Sequence, residues 1–367
     1  MMFSPKVLTR NVATLFVALA LVITFVTTPK AQAIDLDAPS GVDVSSWQHP
    51  GGEGINWDSV KSDGHSYAFI KATEGVNYLN PHFAADSRQA IDAGLMIGSY
   101  HLGRPGVSAT AQAAAYAAVL ASQPQPSLPP VLDIEYDDGV GPAQTQAWVK
   151  EFVTEIELLT GRKPIIYTYR YFWEQQVGNS TDFKDYPLWL AAYQNTPPTT
   201  LPGGWEQMTF WQRSSTGRVS GINYDTDLNL FNGNQAQLDA FVIGNYVQLG
   251  NIINPSLRLD KLPNLEVMSK QNPDLVKVIL AVAAGAVAAN ALSKAAQDAG
   301  FDARPAEEFV KLVQEQVDSG KLPVKDLEIM LDESKYTVGD LVKLLEAVQA
   351  RQADQADAQP QDQQQEQ

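Results

Sequence analysis

The chain has 367 residues, 44% of them hydrophobic, no cysteine and a formal charge of −16. That length suits one core of roughly 200 residues plus a smaller unit. The missing cysteines exclude thiol nucleophiles, thiolate metal sites and disulfide staples, and the acidity argues against nucleic acid as a partner, since no counterion release would drive binding.

Residues 1–33 read as a signal peptide: Lys6 and Arg10 precede an uncharged apolar run from Val12 to Val26, and Ala31-Gln32-Ala33 fits a cleavage site. The run is short against the roughly 20 residues of a bilayer-spanning helix. The expected product begins at Ile34, has no membrane span, and is secreted, extracellular or associated with a cell wall.

From Gly41 to Phe231 short apolar, β-branched runs alternate with helix-compatible stretches, the pattern of an α/β fold. Eight strands are predicted: Gly41 to Ser45, Tyr67 to Ala72, Leu95 to Leu102, Pro130 to Glu135, Pro164 to Tyr169, Leu188 to Tyr193, Met208 to Arg213 and Thr226 to Phe231. Helices are predicted at Asn80 to Ala93, Ala109 to Ser122 and Pro142 to Thr160, where Trp148, Phe152, Ile156 and Leu159 repeat at helical spacing. Helices concentrated in the first half imply an irregular, TIM-like β/α barrel. An open doubly wound sheet is the alternative, but no glycine-rich dinucleotide turn supports it.

Past Phe231 aromatics thin out, and Ala, Val, Leu, Gln and Asp dominate. The expected division is a barrel over 34–236, a small all-α accessory region over 237–351, and a disordered Gln/Asp-rich tail over 352–367. Helical patterning runs over Leu275 to Ala299, Pro305 to Ser319 and Val338 to Arg351, with Phe309, Leu312, Val313 and Val317 on one stripe. Such stripes suit an envelope or protein partner, or a spacer with no binding role.

In Val131-Leu132-Asp133-Ile134-Glu135 the side chains alternate, so Leu132 and Ile134 can face helices while Asp133 and Glu135 face the barrel interior. Inward carboxylates on a parallel strand cost desolvation and repulsion unless a site uses them. The shared burial should raise the pKa of one, which is how a general acid keeps its proton beside an ionised neighbour. A strand-end pair bound to loop amides is the structural alternative. Asp43 alternates with Val42 and Val44 in the same way, and Asp227 lies on the last strand, next to the first if the barrel closes. Asp225 is either a rival for that place or a turn residue.

Trp47, Tyr100, Tyr167, Tyr169, Tyr193 and Trp211 cluster near these strand ends and suit stacking on sugar rings, although any one of them could be core. Lys71 and Glu74 end the second strand and either bind substrate or pair with each other. His49, His65, His82 and His101 lack metal-ligand spacing, and Ser45 and Ser46 lack an esterase turn, so no metal or other cofactor is expected.

These segments resemble the family 25 glycoside hydrolases, which are lysozymes. The resemblance covers about Ser40 to Phe231 and rests on Gly41-Val42-Asp43-Val44-Ser45-Ser46-Trp47-Gln48, Phe69-Ile70-Lys71-Ala72-Thr73-Glu74-Gly75, Gly98-Ser99-Tyr100-His101, Leu132-Asp133-Ile134-Glu135, Ile166-Tyr167-Thr168, Leu188-Trp189-Leu190-Ala191, Trp211-Gln212 and Asp227-Leu228-Asn229. It implies a (β/α)5(β)3 barrel that cleaves the β-1,4 bond between N-acetylmuramic acid and N-acetylglucosamine in peptidoglycan glycan strands. It also implies Glu135 as proton donor, Asp133 as stabiliser of the developing positive charge, and Asp43 and Asp227 as the rest of the acidic cluster. Tyr100, Tyr167, Tyr193, Trp211, Lys71 and Glu74 are the expected substrate contacts. Carboxyl spacing along one strand does not select the mechanism, and retention through the substrate's own acetamido group is the expected course. Two competing readings are a non-catalytic wall-binding barrel and a glycosidase of another aminosugar polymer.

Overall fold

A computed structural model describes residues 38–122, 126–242, 304–333 and 336–357, with separate positions between 277 and 295. The expected signal peptide, most of the expected helix from Leu275 to Ala299, and the last ten residues lie outside the described residues. Among the described residues no helix is long and apolar enough to cross a membrane.

Among the described residues there are nine strands: β1 Ser40–Val44, β2 Tyr67–Glu74, β3 Tyr78–Leu79, β4 Met96–Leu102, β5 Val131–Asp133, β6 Ile165–Tyr169, β7 Leu188–Ala191, β8 Phe210–Gly217 and β9 Thr226–Phe231. The sheet runs β1-β9-β8-β7-β6-β5-β4-β2-β3, and a β1–β2 pairing closes eight of the strands into a barrel, with β3 a short hairpin partner of β2. Seven barrel strands pair in parallel, and β9 runs antiparallel to both β1 and β8.

Helices α1 Trp57–Ser62, α2 Phe83–Asp92, α3 Ala109–Ala121, α4 Pro142–Thr160 and α5 Arg170–Gln176 follow β1, the β2–β3 hairpin, β4, β5 and β6 in turn; β7, β8 and β9 succeed one another without helices. This is the (β/α)5(β)3 order. Local chemistry sets the helix limits. Ser108 caps α3 by accepting from Ala111 N, and α4 opens on Pro142 and stops at Gly161, whose left-handed backbone favours glycine. The α4 stripe is Trp148, Val149, Phe152, Val153 and Ile156. Leu159, expected on that stripe, is exposed in the last turn of the helix. Helices α1 and α5 escaped the sequence reading, each being too short for its periodicity to stand out.

Helix α6 Gln235–Val242 seats Leu238 and Phe241 under the barrel, with Phe241 against Phe210 and Phe231. Three continuous helices follow among the described residues: α7 Arg304–Asp318, α8 Val324–Glu333 and α9 Val338–Asp357. Helix α9 begins where expected but continues past Arg351. Val310, Val313, Leu327, Met330, Leu341, Leu344 and Leu345 are buried in the same hydrophobic cluster as the barrel core.

Candidate active site

Inward positions of the barrel change character along each strand. At one end Tyr67 and Phe69 of β2, Trp189 of β7 and Phe210 of β8 fill the interior, with Phe69 stacked on Trp189 at 4.3 Å and Tyr67 edge-on to Phe210 at 5.3 Å. Gly41 and Gly98 make room for this floor: a Cβ on either would come within 2.3 Å of the Tyr67 or Phe69 ring. Two residues further along their strands the inward positions turn polar. Gly41 gives way to Asp43, Phe69 to Lys71, Gly98 to Tyr100 and Phe210 to Gln212, and Asp133 of β5 stands beside Tyr167 of β6. On β9, Asn229 lies opposite Gly41 and Asp227 opposite Asp43.

Asp43 is buried and held by amides. Asn229 Nδ2 donates to its Oδ2 at 2.7 Å, and Gln212 Nε2 donates to both oxygens at 3.0 and 3.2 Å. The Gln212 amide is oriented by Tyr167, whose hydroxyl donates to its Oε1 at 2.7 Å, with the Tyr193 hydroxyl 3.1 Å from the same oxygen, so its nitrogen must face the acid. Trp189 Nε1 fixes Asn229 likewise, donating to Oδ1 at 2.8 Å. Burial pushes the Asp43 carboxyl up to about 6 despite these donors. Asp133 is pushed well above the ordinary carboxylate range by burial and then by Glu135 beside it, and Asp227 by burial and then by Asp43.

Glu135 stands two residues beyond Asp133, just past the end of β5, where Ile134 N still donates to Tyr167 O at 3.0 Å. Alternation therefore persists, and both carboxylates share the interior. The Glu135 oxygen Oε2 lies 2.9 Å from Lys343 Nζ of α9, and that side chain is 9% exposed.

At the rim, Lys71 Nζ meets Glu74 at 2.6 Å, and Arg104 joins Glu74 at 2.9 Å to Asp138 at 3.1 Å. Burial alone would raise the Glu74 pKa, but Lys71 and Arg104 together hold it below its usual range. Of the two readings for Lys71 and Glu74, mutual pairing is thus realised, and Lys71 also faces Asp133 electrostatically.

The structure brings Asp43, Asp133, Glu135, Asp227, Tyr100, Tyr167 and Tyr193 to one interior. Trp211 does not join them. It neighbours the inward Gln212 on β8, so its ring takes the opposite face, where Nε1 donates to Ala192 O at 2.7 Å. Trp47 follows β1 and is 68% exposed, so it flanks the interior from outside. Asp225 is exposed and pairs with Arg218, which leaves the β9 position to Asp227. The sequence reading missed the roles of Gln212, Asn229 and Trp189. Gln212 shares a face with Phe210 and Asn229 with Asp227, a signal that becomes legible once the inward residue of each strand is known. His101 lies outside the barrel wall, between Thr73 and Gln112, where burial lowers its pKa to about 4.

An acid cluster at one end of a (β/α)5(β)3 barrel can be compared with known proteins. The model of glycosyl hydrolases family 25 matches residues 42–222. Lysozyme M1 of Streptomyces globisporus is 40% identical over 215 residues, 56% of this chain and 71% of that protein. The chain belongs to glycosyl hydrolases family 25. This family 25 chain is also 33% identical to the N,O-diacetylmuramidase of Chalaropsis sp over 217 residues, 56% of the chain and 99% of the relative. The crystal structure of the bacterial lysozyme from Streptomyces coelicolor superposes with a TM-score of 0.52 at 37% identity, covering 57% of this chain and 100% of that one. The family match ends at residue 222, before the C-terminal helices begin.

Proposed function

We propose that this family 25 glycoside hydrolase is an exported muramidase that cuts the β-1,4 bond between N-acetylmuramic acid and N-acetylglucosamine, with retention of configuration. The observation that carries the reading is the convergence of Asp43, Asp133, Glu135 and Asp227 on one barrel interior lined by Tyr100, Tyr167 and Tyr193. Glycosyl transfer passes through a positively charged, oxocarbenium-like state, which such a cluster stabilises.

Glu135 gives its proton to the glycosidic oxygen as the bond to the anomeric carbon breaks. The substrate's 2-acetamido oxygen closes on that carbon from the opposite face, its N–H donating to Asp133. Water then opens the resulting oxazolinium ring, Glu135 takes the water's proton, and two inversions leave the configuration retained. Asp43, fixed by Gln212 and Asn229, and Asp227 add negative potential around the ring that carries the charge. Export is supported by the leader-like residues 1–33 and by the wall polymer being the substrate.

Digestion of purified peptidoglycan by wild type and Glu135→Gln tests this, with mass spectrometry of the reducing-end sugars and nuclear magnetic resonance of the first-formed anomer. N-acetylmuramic acid at the new reducing end, first as the β anomer, is the expected result, with a rate loss of about 10²–10⁴ in the variant. An α anomer would remove the acetamido route, release only from chitin would assign another aminosugar polymer, and wall binding without cleavage would make the chain a binding barrel.

A further inference from the structure

The C-terminal helices, outside the family match, reach the acid cluster. Tyr336 anchors them to α5: its hydroxyl donates to Glu174 at 2.8 Å and accepts from Gln175 at 2.9 Å, and its ring lies edge-on to Tyr171 at 5.0 Å. Tyr171 in turn donates to Asp326 of α8 at 3.0 Å. From Tyr336 the chain enters α9, where Thr337 and Asp340 cap the helix by mutual hydrogen bonds.

Gly339 then touches the strand-end backbone at Tyr193, where a Cβ would lie 2.4 Å from the Tyr193 carbonyl oxygen. One turn on, Lys343 enters the barrel mouth with its ammonium 2.9 Å from Glu135, 5.1 Å from the Tyr167 ring centre and 3.8 Å from Glu346. Glu346 accepts from the Tyr193 hydroxyl at 2.9 Å. Ala347 closes the far side by packing in one buried cluster with Leu102 and Tyr136.

Lysine is almost never buried unless paired. Burial would lower the Lys343 pKa, but Glu135, Tyr193 and Glu346 reverse this and hold it well above its ordinary value. The interior has an excess of carboxylates, and Lys343 supplies the positive charge that a polysaccharide in its ground state lacks. The oxygen that must reach the glycosidic bond is occupied by Nζ, and Tyr193 is engaged by Glu346. A sugar and this helix cannot both stand against Glu135.

We propose that α9 is a tethered inhibitor of the barrel, with Lys343 holding the proton donor and Gly339 allowing the close approach, so that hydrolysis requires α9 to leave the mouth. This rests on the muramidase reading, because it assigns Glu135 as the group that the helix blocks. It gives the C-terminal region an intramolecular role in place of a spacer.

The test uses the full-length chain as wild type, Lys343→Ala and Gly339→Val, assayed for release of soluble fragments from purified peptidoglycan. Hydrogen exchange over residues 338–348 and a melting curve for the barrel accompany each assay. Expected is a rate at least tenfold higher in both variants, with faster exchange in that segment and an unchanged barrel melt. Wild type as fast as both variants overturns the tethered inhibitor and leaves the muramidase reading standing. If none of the three hydrolyses the wall, that reading falls, and binding of a soluble tetrasaccharide of the glycan, followed by tryptophan fluorescence, decides the helix. Binding by the variants and not by wild type supports occlusion, while equal binding or none overturns it.

Discussion

Asp43 and Asp227 stand directly opposite one another across the antiparallel β1–β9 pair, so closing the barrel sets two carboxylates on one inward face. Like charges in that relation repel. Asp227 binds its proton more tightly in the folded chain than in the unfolded one, first because it is buried and then because of Asp43. Its favourable contribution is therefore complete below the ordinary carboxylate value and is lost as pH rises. Asp227→Asn should melt roughly 2–4 °C above wild type near neutral pH, with the difference vanishing below about pH 4. Calorimetry at both ends checks this, and a pH-independent difference would show that the repulsion is not what Asp227 contributes.

Gln212 links two tyrosine hydroxyls to Asp43. Gln212→Leu removes donors that hold the Asp43 pKa down, so a value now near 6 should rise further. If hydrolysis uses ionised Asp43, the acid limb of the kcat/KM profile moves upward. The buried Tyr167 hydroxyl also loses its acceptor, at a cost of about 2 kcal/mol in urea unfolding, whereas Tyr193 keeps Glu346. An unmoved acid limb would argue that Asp43 does not control the rate.

His101 lies in the helical layer with a pKa lowered by burial to about 4, against 6.5 for a free imidazole. Between those values the unfolded chain binds a proton that the folded chain does not, so stability falls as pH drops from about 6.5 toward 4, by roughly 3 kcal/mol in all. His101→Gln should be less stable at neutral pH but show a shallower loss across that window. Urea titrations at several pH values read the slope; parallel slopes in the two proteins would contradict the assignment.

Two tryptophans expected in one groove should behave differently. Trp211 is fully buried on the outer face of β8, and Trp211→Ala should cost about 3–5 kcal/mol of stability. Trp47 is exposed beside the mouth, and Trp47→Ala should leave stability within about 0.5 kcal/mol while raising KM for the glycan more than it lowers kcat. Equal KM values for Trp47→Ala and wild type would remove Trp47 from the substrate surface.

Alternation made much of the candidate site legible. Asp43 between Val42 and Val44, and Asp133 and Glu135 around Ile134, announce their common face within a few residues, because side-chain direction in a strand is a local, period-two property. The same rule would have singled out Gln212 beside the misassigned Trp211 had the register of Phe210 as a floor residue been known. That register comes from partners on neighbouring strands, which one strand's sequence does not contain.

By itself the periodicity of the sequence determined eight strands, the shared face of Asp133 and Glu135, the matching alternation of Asp43 and the helical character of the C-terminal region, because these follow from local side-chain direction and the burial of apolar faces. The (β/α)5(β)3 order came from the resemblance to family 25, and the choice of Asp227 over Asp225 from the folded chain. Only the tertiary structure decided what α9 covers. An amphipathic stripe states that a helix must bury one side, but the surface that receives it depends on complementarity between distant parts of the chain. Here that complementarity comes from Gly339 meeting the Tyr193 backbone and Lys343 meeting Glu135.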